Sequence, residues 1–138
     1  MKLILCLDDC NGMLFNNRRQ SSDRALTSHI LQLCDGQRLW MSSYSAKLFK
    51  DASGITVSDQ YLQQTDPEDF VFLEDGDVRK ALENARMLII YRWNRVYPSD
   101  VKFPGQLPPR GWRFVSKSDF TGYSHEKITQ EVYVLEDE

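Results

Sequence analysis

Residues Lys2-Leu3-Ile4-Leu5-Cys6-Leu7 are apolar after the first lysine. A run of that length predicts a strand buried on both faces. It stops at Asp8-Asp9-Cys10-Asn11-Gly12, which has the composition of a turn. The period then changes. Ser21, Ser22 and Asp23 offer helix N-caps, and Leu26, Ile30 and Leu33 recur at helical spacing as far as Gly36. Arg38 to Met41 reads as a short strand and Ser43 to Lys50 as a short helix. Ile55 to Ser58 and Phe70 to Leu73 read as strands. Asp75 to Ala85 reads as a helix with Val78, Leu82 and Ala85 on its inner side.

From Arg86 onward helices disappear from the pattern. Met87 to Val96 predicts one long strand, and Pro98, Pro104, Pro108 and Pro109 mark an irregular crossing. Trp112 to Val115 and Thr129 to Leu135 close the chain as a pair of strands. In the last of these, Val132 and Val134 share one face, Tyr133 and Leu135 the other. Both faces are apolar, which predicts cover on both. Strands and helices alternate through the first two-thirds, then strands alone follow. That order predicts an α/β fold: a doubly wound, mostly parallel sheet, its first strand central, ending in a C-terminal antiparallel hairpin. With no repeat, low-complexity tract or linker, residues 1–138 read as a single domain.

Composition narrows the class. A chain of 138 residues buries roughly two-thirds of its unfolded surface, enough for its own core. The longest apolar run, Met87-Leu88-Ile89-Ile90-Tyr91, is strand-sized and far from the ~20 residues of a membrane span. The opening apolar run is too short for a signal peptide, which points to the cytoplasm. Seventeen basic against twenty acidic side chains give a net charge of −3. Arg18, Arg19 and Arg24 form too small a basic group for a duplex footprint, so nucleic acid is not expected as a partner. Cys6, Cys10 and Cys34 are an odd number, favouring reduced thiols.

Candidate chemistry is sparse. His29 and His125 are the only histidines, which excludes a His-rich dinuclear zinc site. Cys6 and Cys10 lack a second ligand pair, so no metal is expected; Cys6 and Cys34 read as core and Cys10 as a turn residue. His29 reads as a helix-flank residue and His125 as structural. No Ser-His-Asp or Cys-His arrangement assembles from spacing. All seven glycines are isolated, so no phosphate-cradling run occurs.

Taken in order, the elements resemble dihydrofolate reductase. Leu3 to Leu7, then Asn11-Gly12-Met13-Leu14-Phe15-Asn16, are similar to that family's first strand and Ile-Gly-x-x-Asn loop. Asp23, in Ser21-Ser22-Asp23-Arg24-Ala25-Leu26, falls near the family's substrate-binding aspartate. Leu39-Trp40-Met41-Ser42-Ser43-Tyr44-Ser45 resembles the apolar-Met-Gly-Arg-x-Thr segment. Met87 to Tyr91 through Val101-Lys102-Phe103-Pro104 resembles the strand leading to the Asp-Thr-x-Phe-Pro turn, and Gly111 to Ser116 with Gln130 to Glu136 the last two strands.

The resemblance implies NADPH as cofactor and Asp23, Met13, Leu26 and Ser45 as ligand contacts, with Asp23 the catalytic position if turnover survives. The departures imply the opposite for the cofactor. The family holds NADPH partly on a Gly-Gly pair after a central strand, where backbone approaches the pyrophosphate. Here helix 75–85 runs almost directly into the strand from Arg86, as if a strand, its Gly-Gly turn and the next helix were deleted. In the alternative register, Tyr91, Arg92 and Trp93 fill the phosphate position. Gly-Arg becomes Ser42-Ser43, although Ser45 keeps a hydroxyl. No cofactor is therefore predicted, and hydride transfer lacks a donor. Asp23 has a plainer role as helix N-cap, in which Asp23→Asn would cost little because Asn caps equally well. Three functions stand: a reductase-like protein binding a pteridine or nucleotide near Asp23 without turnover, an active NADPH-dependent reductase with an altered cofactor site, or a protein-interaction module. For the last, Trp93, Arg95, Tyr97 and Trp112 are the candidate surface.

Overall fold

The computed structural model describes residues 1–50 and 52–136. Strand β1, Lys2–Leu7, lies at the middle of a seven-stranded sheet. Leu3, Ile4, Leu5 and Leu7 are fully buried, as an unbroken apolar run requires when both sheet faces are covered. β1 pairs in parallel with β6, Phe70–Phe72, on one side and β7, Met87–Arg92, on the other. Beyond β6 lie β4, Leu39–Met41, and the parallel edge strand β5, Ile55–Val57. Beyond β7, β10, Ile128–Leu135, runs antiparallel and pairs with the edge strand β9, Trp112–Phe120. The order is β5-β4-β6-β1-β7-β10-β9. The first strand is central and the sheet ends in an antiparallel hairpin, as the element order predicts.

Strand alternation assigns the side chains to two cores. Leu3, Leu5, Leu7, Val71, Leu88 and Ile90 face helix α3, Val78–Glu83, through Val78 and Ala81. Ile4, Phe72, Ile89 and Tyr91 face helix α1, Arg24–Leu33, through Leu26 and Ile30. Helix α2, Ser43–Ala46, runs on into a 3-10 turn, Lys47–Phe49, that adds Phe49 to the second core. Each fully buried Leu contributes ~1.5–3 kcal/mol. No helix among the described residues is long and apolar enough to cross a membrane.

Five expectations are corrected. The central strand, turn and helix thought deleted are present: β6 sits between β1 and β4, and Leu73-Glu74-Asp75-Gly76-Asp77 leads from it into α3. The chain lacks the glycine pair and not the segment. β7 ends at Arg92 instead of Val96, and Trp93, expected on the surface, is 4% exposed. β9 runs on to Phe120, with a register shift opposite Val132 and Tyr133. Cover on both faces of β10 also fails at its end, where Leu135 is 44% exposed.

A second, three-stranded sheet was not anticipated. β2, Gly12–Phe15, lies between β3, Arg18–Arg19, and β8, Val101–Lys102. Asn16 and Asn17 turn β2 into β3 with φ of 52° and 61°. Positive φ at both central residues defines the two-residue hairpin turn that asparagine favours. This hairpin hangs over the carboxyl ends of the parallel strands.

Candidate functional site

In an open α/β sheet, ligands bind in crevices at the carboxyl ends of the strands. Here that rim carries Asp8 after β1, Ser42 after β4, Glu74 and Asp75 beyond β6 and Trp93 after β7. The chain's own side chains build a partition across it. Glu74 is buried, and Arg19 binds its carboxylate with two hydrogen bonds, Nε to Oε2 at 2.8 Å and an Nη to Oε1 at 3.0 Å. Ser45 Oγ donates to the same Oε1 at 2.8 Å, and Ser42 Oγ donates to Asp75 at 2.9 Å. Arg19 is fixed further by its N–H donating to Tyr44 Oη at 2.9 Å, with the guanidinium 4.6 Å from that ring centroid. The Glu74 hydrogen bond raises the Arg19 pKa, while burial, reinforced by Glu74, pushes the Cys6 thiol well up. Behind the partition only about 10 Å³ remains, walled by Cys6, Met13, Leu73 and Trp93.

Two clefts flank this partition. One, of about 320 Å³, is lined by Ser42, Asp59, Tyr61, Asp75 and Asp77. Its carboxylates disfavour an anionic guest. The Tyr61 phenol is pushed up to about 12 by burial and then by Asp75 and Asp77. The other, of about 520 Å³, is lined by Phe15, Arg18, Gln20 and Tyr97 among others. No group of three metal-ligating side chains stands together among the described residues.

Asp23 caps α1 and does more. Oδ1 accepts from Ala25 N at 2.8 Å and Tyr123 N at 2.9 Å. Oδ2 accepts from Ser124 N at 2.9 Å and Ser124 Oγ at 3.2 Å, and lies 2.8 Å from His125 Nδ1. Burial works against its charge, but hydrogen bonds from Tyr123, His125, Ser124 and Ala25 outweigh it and hold the carboxyl well below the usual range. His125 Nε2 lies 3.0 Å from Ser21 Oγ and 3.1 Å from Tyr97 Oη, and its ring lies 4.7 Å from that of Trp93. Gly122 permits the approach, since a Cβ there would sit 2.5 Å from His125 O and 2.8 Å from Asp23 Oδ2. Asp23 thereby ties the helix start to the β9–β10 turn. Ser21, His125 and Asp23 share the spacing of an acyl-transfer triad, but the cavity that Ser21 lines is the 10 Å³ one, which admits no acyl group.

The four expected ligand contacts do not share a cleft. Asp23 borders a shallow depression with Thr27, Leu48 and Tyr123, its acceptor sites already occupied. Met13 and Leu26 are buried, one in each core. Ser45 is fully buried in the partition. Of the expected contact surface, Arg95 is exposed, Tyr97 and Trp112 are half-buried and Trp93 is enclosed. His29 stacks on Phe120 at 4.3 Å, with Nδ1 2.8 Å from Tyr91 Oη. Cys6, Cys10 and Cys34 are unpaired. Sequence reasoning missed Arg19, Glu74 and Gln20. The one available signal was an acidic residue directly after the apolar run Phe70 to Leu73.

The strand order, the helices on both faces and the closing hairpin define the dihydrofolate reductase fold. The chain is similar to dihydrofolate reductase from Enterococcus faecalis, solved in complex with NADP(H) and RAB-propyl, with a TM-score of 0.70 over 99% of this chain and 96% of that one. Identity is 11%, so the likeness is one of fold. No family model and no curated sequence matches the chain.

Proposed function

We propose that this protein uses the dihydrofolate reductase fold to bind a small heterocycle, of pteridine or nucleotide type, without reductase turnover. The carrying observation is the residue at the end of β6. With β6 seated beside the central strand β1, the family's glycine turn, where backbone meets the cofactor's pyrophosphate, would fall there and not in a deleted segment; this chain has Glu74, buried and clamped by Arg19 and Ser45. Asp59, Asp75 and Asp77 line the adjoining cleft, so a polyphosphate would meet carboxylates in place of free N–H groups. Hydride transfer belongs to the cofactor, and a protein that cannot seat it retains binding alone. The NADP(H) in the similar structure therefore does not carry over. Three unpaired cysteines fit a cytoplasmic setting.

The test follows the near-ultraviolet absorbance of NADPH in the presence of dihydrofolate and purified protein. The expected rate equals that without protein. Saturable NADPH oxidation above the rate without protein would restore the active-reductase reading. The interaction-module reading keeps one specific support: Phe114 and Val115 on the edge strand β9 are 51% and 46% exposed, and Leu135 at the end of its neighbour β10 is 44% exposed. A Phe114→Ser variant that loses a bound partner while keeping heterocycle binding would favour it.

A further inference from the structure

We infer that the cleft at the carboxyl ends of β4, β5 and β6 binds an alkyl polyamine, through three carboxylates set around an unpartnered phenol hydroxyl. The inference does not depend on the heterocycle reading. Ser42 follows β4, Asp59 follows β5 and Asp75 follows β6, so three neighbouring parallel strands each deliver a polar side chain to one rim. Asp77 completes the wall. Asp59, Asp75 and Asp77 are exposed, and no lysine, arginine or histidine lines the cleft. None of the three forms an ion pair among the described residues. Hydrogen bonds hold these carboxylates in place without using them up. Asp59 Oδ1 accepts from Ser43 N at 3.0 Å and Asp75 Oδ1 from Ser42 Oγ at 2.9 Å. Asp77 Oδ1 accepts from Arg79 N at the start of α3. Oδ2 of Asp75 and of Asp77 accepts from no side chain or backbone N–H among the described residues and is left for a guest.

Tyr61 supplies the independent observation. It is 7% exposed and belongs to the first core, yet its hydroxyl has no hydrogen-bond partner among the described residues. That hydroxyl is not sealed off, because the one fully enclosed polar atom without a partner among the described residues is Gln20 Oε1. It lies at the cleft wall beside Gly76, where an added Cβ would sit 3.0 Å from it and 2.5 Å from Leu73 Cδ1. Glycine there keeps the phenol open to the cleft. Burial, then Asp75 and Asp77, push the phenol up to about 12, so it meets a guest protonated, and its oxygen accepts. An ammonium N–H gives the phenol its missing partner and the carboxylates their counter-charge together. No three metal-ligating side chains stand together among the described residues, so the carboxylates share the cleft without converging on one ion. Ammonium groups spaced along an alkyl chain reach them in turn, while the methylenes lie on half-buried Leu62. A cleft of about 320 Å³ suits a guest of that size.

Isothermal titration of the full chain with spermidine, n-butylamine and magnesium chloride, at one ionic strength, tests the site. Spermidine is expected to bind saturably, butylamine about tenfold more weakly or less, and magnesium without saturation. Asp75→Asn is expected to lower spermidine affinity about tenfold, since asparagine still accepts from Ser42 but carries no charge. Tyr61→Phe is expected to lower it about threefold or more, at a melting temperature no lower than the parent's, because the hydroxyl supports no protein group. Asp35→Asn removes an equal charge after α1, away from the cleft, and is expected to leave affinity unchanged. Equal spermidine affinity in Tyr61→Phe and the parent overturns the site. Equal losses in Asp35→Asn and Asp75→Asn reduce the binding to diffuse attraction by the acidic chain and overturn it too. Magnesium binding as tightly as spermidine overturns the polyamine assignment, and an absence of spermidine binding overturns the whole inference.

Discussion

Asp23 shows how one side chain changes meaning between sequence and structure. Read along the chain it is a helix N-cap, for which asparagine is an equal substitute. In the folded molecule its carboxylate accepts from Ala25, Tyr123, Ser124 and His125, and only the first belongs to the cap. Asparagine keeps one carbonyl acceptor and turns an NH₂ toward groups that are themselves donors. Hydrogen bonds to a charged group contribute about 1.5–3 kcal/mol each, and a donor facing a donor forfeits more than it replaces. Asp23→Asn is therefore expected to destabilise the protein by about 2–4 kcal/mol, a fall on the order of 5–20 °C in melting temperature. A fall of only a few degrees in a thermal melt would return Asp23 to the capping role alone.

At the scale of elements, the sheet is uneven in what it contributes. β1 is covered on both faces and flanked by parallel partners, whereas β9 has one neighbour and is exposed from Arg113 to Asp119. Truncating a fully buried core side chain typically costs about 2–5 kcal/mol, while surface changes stay within about 0.5 kcal/mol. Leu5→Ala on β1 is thus expected to lower the urea unfolding midpoint severely. Val115→Ala on β9 should leave it nearly unchanged. A large loss from Val115→Ala would mean that the edge is covered in solution, by another copy or another chain.

Across the whole molecule, buried ionisable groups bound the pH range of stability. Asp8 and Asp23 are lowered in the fold despite burial, because N–H groups and, for Asp23, His125 hold the charged forms. Their contribution is complete above the ordinary carboxylate value of 3.8 and is lost as pH falls through the lower folded values. Cys34 moves the other way: burial pushes its thiol from 9.0 up to about 12. Tyr61 and Tyr133 rise from 10.0 to about 12, also chiefly through burial. A raised folded value gives stability that is full below the unfolded value and is lost as pH rises toward the folded one. Urea midpoints measured across pH should therefore fall steeply above about pH 8.5 and below about pH 4, with a shallower decline between about pH 8 and 5 from His29 and the Met1 amine, whose values burial lowers. A maximum displaced into the acid range would contradict this assignment of the carboxylates.

The periodicity of the chain determined the elements and much of their arrangement. The buried run Lys2 to Leu7 implied a central strand, because only a strand with both faces covered tolerates unbroken apolar residues. Alternation of strands and helices implied the doubly wound sheet, and Leu26 and Ile30 already marked the inner stripe of α1. Local capping was equally legible at Asp23, but not at Asp77, which the sequence reading put inside the helix that it caps. What lies across the rim was not legible. Arg19 and Glu74 are 55 residues apart, and Asp23 and His125 are 102 apart. No local preference encodes pairs so distant, since their meeting is fixed by strand order. The supposed deletion failed for the same reason. Linear spacing cannot tell a missing strand from a present one whose glycines have been replaced, and only the pairing of β6 with both β1 and β4 decides it. Sequence thus settled the scaffold through short-range periodicity. Tertiary structure alone decided that the scaffold's crevice is divided, because division depends on long-range hydrogen bonds between side chains of no local distinction.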